Sequence, residues 1–130
     1  FRVFRGAADA GNKVRGVNAS GAAAKYSRKD IDMLTEWVCK NSGAKGLAWF
    51  KVEEDGKLAS SIAKNFTEQQ LQLLGDRMQA KPGDLLLFLA DTFEVTCKGL
   101  HLIRKRFGAE LKLYDPATMH FSWITEFPMF

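Results

Sequence analysis

The spacing of hydrophobic positions changes several times along the chain, and each change marks an element. Lys13-Val-Arg-Gly-Val-Asn18 alternates like a half-buried strand, after a Gly- and Ala-rich turn across residues 6–12. With the β-prone Phe1-Arg-Val-Phe4 it predicts an opening pair of strands. Ile31, Leu34 and Val38 then recur at helical spacing with Trp37 beside them. Ser27 is placed to cap that helix, with Asp30 three residues on, and Gly43 to end it. Leu47-Ala-Trp-Phe-Lys-Val52 is strand by composition, and Glu53-Glu-Asp-Gly56 turns it back through residues 57–63. Thr67-Glu-Gln-Gln70 reads as a capping box for a second helix with Leu71, Leu74 and Met78 on one face, broken by Lys81-Pro-Gly83. Leu85-Leu-Leu-Phe-Leu-Ala90 shows no alternation, as expected of a central strand covered on both sides. Asp91 with Glu94 is expected to cap a third helix, whose inner stripe is Val95, Leu100, Ile103 and Phe107 and whose end is Gly108. Residues 121–130, aromatic and β-branched, predict a last strand.

Hairpins with intervening helices imply an α+β fold, a two-layer, mainly antiparallel sheet covered by about three helices. No repeat, low-complexity tract or linker divides the chain, so it reads as one module. The first residue is not Met, and the last strand runs to residue 130 without turn or polar tail. Both ends therefore read as cuts through a longer polypeptide.

A chain of 130 residues can bury a sizeable core without disulfides. Its longest apolar run, residues 85–90, is too short to cross a bilayer, so no membrane partner is expected. Cys39 and Cys97 each fall in a helical pattern, which suits two reduced thiols and a cytoplasmic location. The net charge of +4 leans toward an anionic partner. Cations gather at Arg28 and Lys29 and most densely at Arg104, Lys105 and Arg106, while residues 53–55 form an acidic tip. Compensation of a helix dipole at the third helix's C-terminus accounts for the latter cluster equally well at this stage.

Catalytic chemistry is thin. His101 follows Cys97 by four residues, enough for two ligands on one helix face, but a closed zinc site needs two more and no metal is expected. Gly6-Ala-Ala-Asp-Ala-Gly11 has phosphate-loop glycine spacing, yet Asn12 and Lys13 stand where that loop requires Lys and a hydroxyl. Residues 53–55 read as solvated carboxylates at a hairpin tip.

Five segments in order, Ser27-Arg-Lys-Asp-Ile-Asp32, Gly43-Ala-Lys-Gly-Leu-Ala-Trp-Phe-Lys-Val52, Ile62-Ala-Lys-Asn-Phe66, Gly83-Asp-Leu-Leu-Leu-Phe-Leu-Ala-Asp91 and Trp123-Ile-Thr-Glu-Phe-Pro-Met-Phe130, together resemble the insertion domain of bacterial-type aspartyl-tRNA synthetases. The same domain occurs in a tRNA-dependent amidotransferase subunit. The resemblance implies an inserted domain over residues 1–114 and, over 115–130, a connector and return strand belonging to the parent's catalytic core. It implies that this stretch is itself inactive and holds no cofactor. The parent would be a class II aspartate–tRNA ligase, a homodimer that binds L-aspartate, ATP and Mg and charges tRNA. If the domain guides the tRNA acceptor arm, as the resemblance implies, Arg28, Lys29, Arg104, Lys105 and Arg106 are the cations best placed to reach its phosphates. The alternatives are a tRNA-holding amidotransferase domain and a structural spacer without RNA contact. The family's usual Val-Pro-Gly-Gly-Ala before the first helix is Val17-Asn-Ala-Ser-Gly-Ala22 here.

Overall fold

The computed structural model describes residues 4, 6 and 9–126. Its main elements are strands β1 (Lys13–Ala19), β2 (Ala48–Val52), β3 (Leu58–Ala59) and β4 (Leu85–Asp91), and helices α1 (Arg28–Ser42), α2 (Glu68–Arg77) and α3 (Phe93–Glu110). A 3-10 turn at Ala63–Asn65 precedes α2. The strands form one sheet in the order β1-β4-β2-β3, every pair antiparallel, which makes the fold α+β as expected.

β4, the last of these strands in sequence, is inserted between β1 and β2, and that position explains its unbroken apolar run. Strand side chains alternate between faces. Leu85, Leu87 and Leu89 accordingly join a core beneath α1 and α3, while Leu86 and Phe88 join a second core with Phe50, Val52 and Leu58. The two-layer packing holds on the first face, and α2 with the 3-10 turn closes the second. There Phe50 meets Phe66 and Phe88 edge-on at 5.7 and 6.0 Å, the geometry aromatic quadrupoles favour.

α1 begins and ends as its residues dictate. Ser27 Oγ accepts from the Asp30 N–H at 3.2 Å, and Asp30 Oδ2 accepts from the Ser27 N–H at 2.8 Å, a reciprocal cap. Gly43 ends the helix with φ +83°, a conformation that suits a residue without Cβ. Ile31, Leu34 and Val38 are fully buried against the sheet. α3 crosses the same face and comes closest at Gly99, where an added Cβ would stand 2.3 Å from Leu89 Cδ1 and 3.3 Å from Ser42 Oγ. Ser42 near the end of α1 thus meets the early part of α3, while Tyr26 before α1 stacks on Phe107 at 4.8 Å near the other end.

A buried carboxylate fixes the entry to β4. Asp84 accepts hydrogen bonds from Asn18 Nδ2 at 2.9 Å and from Ser20 Oγ, the Gly21 N–H and the Lys81 N–H, each at 3.0 Å. Burial alone pushes this carboxyl up, and the four donors outweigh it, so it titrates below the ordinary aspartate value. Asp84 thereby locks the loop after β1 onto the turn before β4.

Several expectations are corrected. Residues 1–3 of the opening strand lie outside the described residues, and Phe4 has helical backbone instead. The return strand of the hairpin is only Leu58–Ala59. Beyond it Ser60 captures the chain locally, its Oγ accepting from the Ile62 N–H at 3.3 Å and its carbonyl from the Ala63 N–H at 3.2 Å, so a turn replaces the ladder. Thr92, not Asp91, caps α3, accepting from the Val95 N–H. Asp91 remains in β4 opposite Lys13, with Oδ1 accepting from the Thr92 N–H at 2.8 Å. Nor does Gly108 end the helix. α3 runs to Glu110 and closes with Lys112 N–H to Ala109 O and Leu113 N–H to Gly108 O, with Lys112 at φ +52°. The final strand is absent over residues 121–126, which are irregular, with Phe121 91% and Trp123 96% exposed; residues 127–130 lie outside the described residues. A β-prone segment needs a neighbour to receive its backbone hydrogen bonds, and no strand among the described residues pairs with this one.

Candidate nucleic-acid interface

α3 carries most of the chain's clustered charge, and its period sorts those charges. Thr96, Gly99, Ile103 and Phe107 face the core, which leaves His101, Arg104, Lys105 and Gly108 on the outward stripe. His101, Arg104 and Lys105 are exposed, and Arg104 Nη2 lies 3.4 Å from His101 Nδ1. After the helix closes, the chain folds back so that the Tyr114 ring reaches Gly108: a Cβ there would make ordinary contact with it at 3.6 Å. His101, Arg104, Lys105, Gly108, Leu113 and Tyr114 line one open groove of about 570 Å³.

Arg106 is separated from its neighbours by the same period. Its Nε donates to Glu110 Oε1 at 2.8 Å, one helical turn on, and its guanidinium lies 5.2 Å from the centre of the Trp37 ring on α1. The other Glu110 oxygen accepts from the Tyr26 hydroxyl. Burial, reinforced by Glu110, pushes the Tyr26 phenol up to about 12. Burial also raises Glu110, but the hydrogen bonds from Tyr26 and Arg106 overcome that and hold its carboxyl below the usual range. Arg106 thus lies between Glu110 and Trp37, whereas Arg104 and Lys105 have no carboxylate partner among the described residues.

Arg28 and Lys29 open α1 and are exposed. The Tyr26–Phe107 stack brings this end of α1 to the last turns of α3, so the two clusters share one end of the helix pair. Cations at a helix N-terminus run against its dipole, and Asp30, drawn below its ordinary value by its hydrogen bonds with Ser27, offsets that field. Dipole compensation does not explain residues 104–106 either: the last turn of α3 contains no basic residue and its last residue is Glu110.

The alternative chemistries disperse. Cys97 Sγ lies 3.5 Å from Arg15 Nη1, whose guanidinium covers Phe93, while His101 turns to Arg104. Among the described residues no group of three or more His, Cys, Asp or Glu is placed to hold a metal. At the acidic tip Asp55 pairs with Lys57 at 2.9 Å. No helix among the described residues is long and apolar enough to cross a membrane. Reading the sequence missed Tyr114, Tyr26 and Asp84. The Arg106–Glu110 pair had a visible signal in its spacing of four; the other contacts depend on how distant segments meet.

A small α+β domain with a cationic outer helix stripe is the class this geometry defines. The chain belongs to the GAD domain family, whose sequence profile matches residues 4–100. It is 61% identical over 130 residues to the aspartate–tRNA(Asp/Asn) ligase of Rhodopirellula baltica, covering 100% of this chain and 22% of that protein. It is 51% identical over 129 residues to the ligases of the same name from Bacillus cytotoxicus and Bacillus anthracis, covering 99% of this chain and 22% of each. The chain thus spans 22% of the length of these relatives, and their similarity continues through α3 and residues 101–130, past the family profile.

Proposed function

We propose that this chain is a non-catalytic domain of an aspartate–tRNA ligase and that it helps to place the acceptor arm of tRNA. The observation that carries the reading is the match of the whole chain, at 61% identity, to 22% of such a ligase. The parent activates L-aspartate with ATP and Mg in a catalytic core outside this chain, works as a cytoplasmic homodimer, and transfers aspartate to tRNA. Residues 1–114 form the domain, and residues 115–130 are the connector and return strand of that core. In support of that boundary, Met119, Phe121, Trp123 and Ile124 expose 79%, 91%, 96% and 76% of their surface, an apolar stretch that a core would cover. The ligase relatives favour this parent over an amidotransferase.

Arg28, Lys29, Arg104 and Lys105 serve as phosphate contacts, while Arg106 holds the scaffold. Such contacts position RNA without reading its sequence. Titration of the chain with an acceptor-stem hairpin RNA tests this. Two to four phosphate contacts predict that log K falls by roughly 2–4 for each tenfold rise in salt, independent of stem sequence. Binding that ignores salt, or no chemical-shift change at low salt, rejects the RNA role and leaves a structural spacer.

A further inference from the structure

The groove on α3 differs from a plain basic surface because an aromatic ring is built into it. Tyr114 is 61% exposed, yet its place is fixed by three features. The helix closes through Leu113 N–H to Gly108 O at 2.9 Å, immediately before Tyr114. Lys112 takes the left-handed conformation that turns the chain back. The Tyr114 ring lies beside Gly108, one turn beyond Arg104 and Lys105, near enough that a Cβ there would touch it at 3.6 Å. His101, Arg104 and Lys105 line the same groove, so an aromatic residue and several cationic or hydrogen-bonding residues border one open space.

We propose that this groove binds an unpaired nucleotide of tRNA, its base stacked on Tyr114 and its phosphate held by Arg104 and Lys105. The inference rests on the tRNA reading above and sharpens it. A duplex keeps its base faces stacked internally and can offer this surface only phosphates, whereas an unpaired nucleotide offers a π-face and a phosphate together. The groove, about 570 Å³ and open to solvent, has room for one nucleotide. A simple carboxylate would satisfy the cations but leave the aromatic ring unused; a nucleotide uses both. Base stacking tolerates any base, so selectivity is for single-strandedness rather than for sequence.

The test compares a single-stranded RNA tetranucleotide with a blunt-ended, two-stranded RNA duplex, each titrated against the chain and its Tyr114→Ala, Tyr114→Leu, Tyr114→Phe and Lys105→Ala variants by NMR chemical-shift perturbation. Loss of one stacked base predicts that Tyr114→Ala and Tyr114→Leu weaken tetranucleotide binding roughly five- to hundredfold and leave duplex binding unchanged, while Tyr114→Phe retains both. Lys105→Ala weakens both ligands. Tyr114→Leu keeps apolar bulk on Gly108 and guards against a mere folding defect, as does an unchanged melting temperature. If Tyr114→Leu binds the tetranucleotide as well as the parent chain while Lys105→Ala still weakens both RNAs, the stacking site is wrong and the RNA reading survives. If neither RNA binds the parent chain, both fall.

Discussion

The Tyr26 hydroxyl donates a hydrogen bond to the Glu110 carboxylate, tying the residue before the α1 cap to the last residue of α3. The Tyr26 ring stacks on Phe107 with an interplanar angle of 28°, and Lys51 Nζ donates to the Tyr26 carbonyl, so one tyrosine joins both helices and β2. This junction is what holds the two cationic clusters at a common end of the domain.

Tyr26→Phe keeps the stack and removes the charge-assisted hydrogen bond. It should lower stability at neutral pH by about 1.5–3 kcal/mol. The folded phenol stays protonated up to about 12, while an unfolded tyrosine ionises near 10. Its contribution is therefore complete below about pH 10 and is lost as pH rises through 12. Urea unfolding across that window should show a shallower alkaline loss in Tyr26→Phe than in the parent chain.

Asp84→Ala leaves four donors, from the end of β1, the loop after it and the turn before β4, without their acceptor and should cost on the order of 3 kcal/mol. Because Asp84 titrates lower in the folded state than in the unfolded one, its stabilisation is present above about pH 4 and is lost as pH falls through the depressed folded value. Asp84→Asn should retain part of the stability and flatten the acid limb. Equal midpoints for Asp84→Ala and the parent chain would show that the latch is dispensable.

Two glycines of α3 should respond oppositely to a methyl group. Gly99→Ala drives a Cβ to 2.3 Å from Leu89 and should destabilise by about 1–3 kcal/mol. Gly108→Ala meets Tyr114 at an ordinary 3.6 Å and gains helix propensity, so it should stabilise by up to about 1 kcal/mol. Thermal melts of both variants decide this.

Lys112 occupies a left-handed position that glycine occupies at lower cost. Lys112→Gly should stabilise the domain by about 0.5–1 kcal/mol, visible as a rise of a few degrees in Tm. No rise would mean that the helix closure is held by contacts other than its backbone bonds.

What was legible in the sequence was local. The caps at Ser27 and Thr67 are spaced pairs whose partners lie three residues away, and both formed as reciprocal boxes. The unbroken run through residues 85–89 announced a buried central strand because both faces impose the same demand. Asp91 and Thr92 are adjacent capping residues, and only the register of β4 against Lys13 assigns the cap to Thr92. Gly108 signals a helix end in the sequence, but α3 runs on to Glu110, because the turn is made by Lys112 at φ +52°, a conformation that leaves no trace in composition. Arg104, Lys105 and Arg106 were found together as a run, yet the 100° step per residue sends Arg106 to Trp37 and its neighbours to solvent. Tyr114 and Asp84 act through segments that only folding brings together.

The central claim is that the outward cations of α3 act on RNA and not on amino-acid activation. Its most direct measurement is a pair of rates in the full-length ligase carrying Arg104→Ala with Lys105→Ala: tRNA charging and aspartate-dependent pyrophosphate exchange. kcat/KM for tRNA should fall roughly tenfold or more, with a shallower salt dependence, while pyrophosphate exchange is unchanged. Unchanged tRNA charging at every salt concentration, in a variant that folds normally, would contradict the claim.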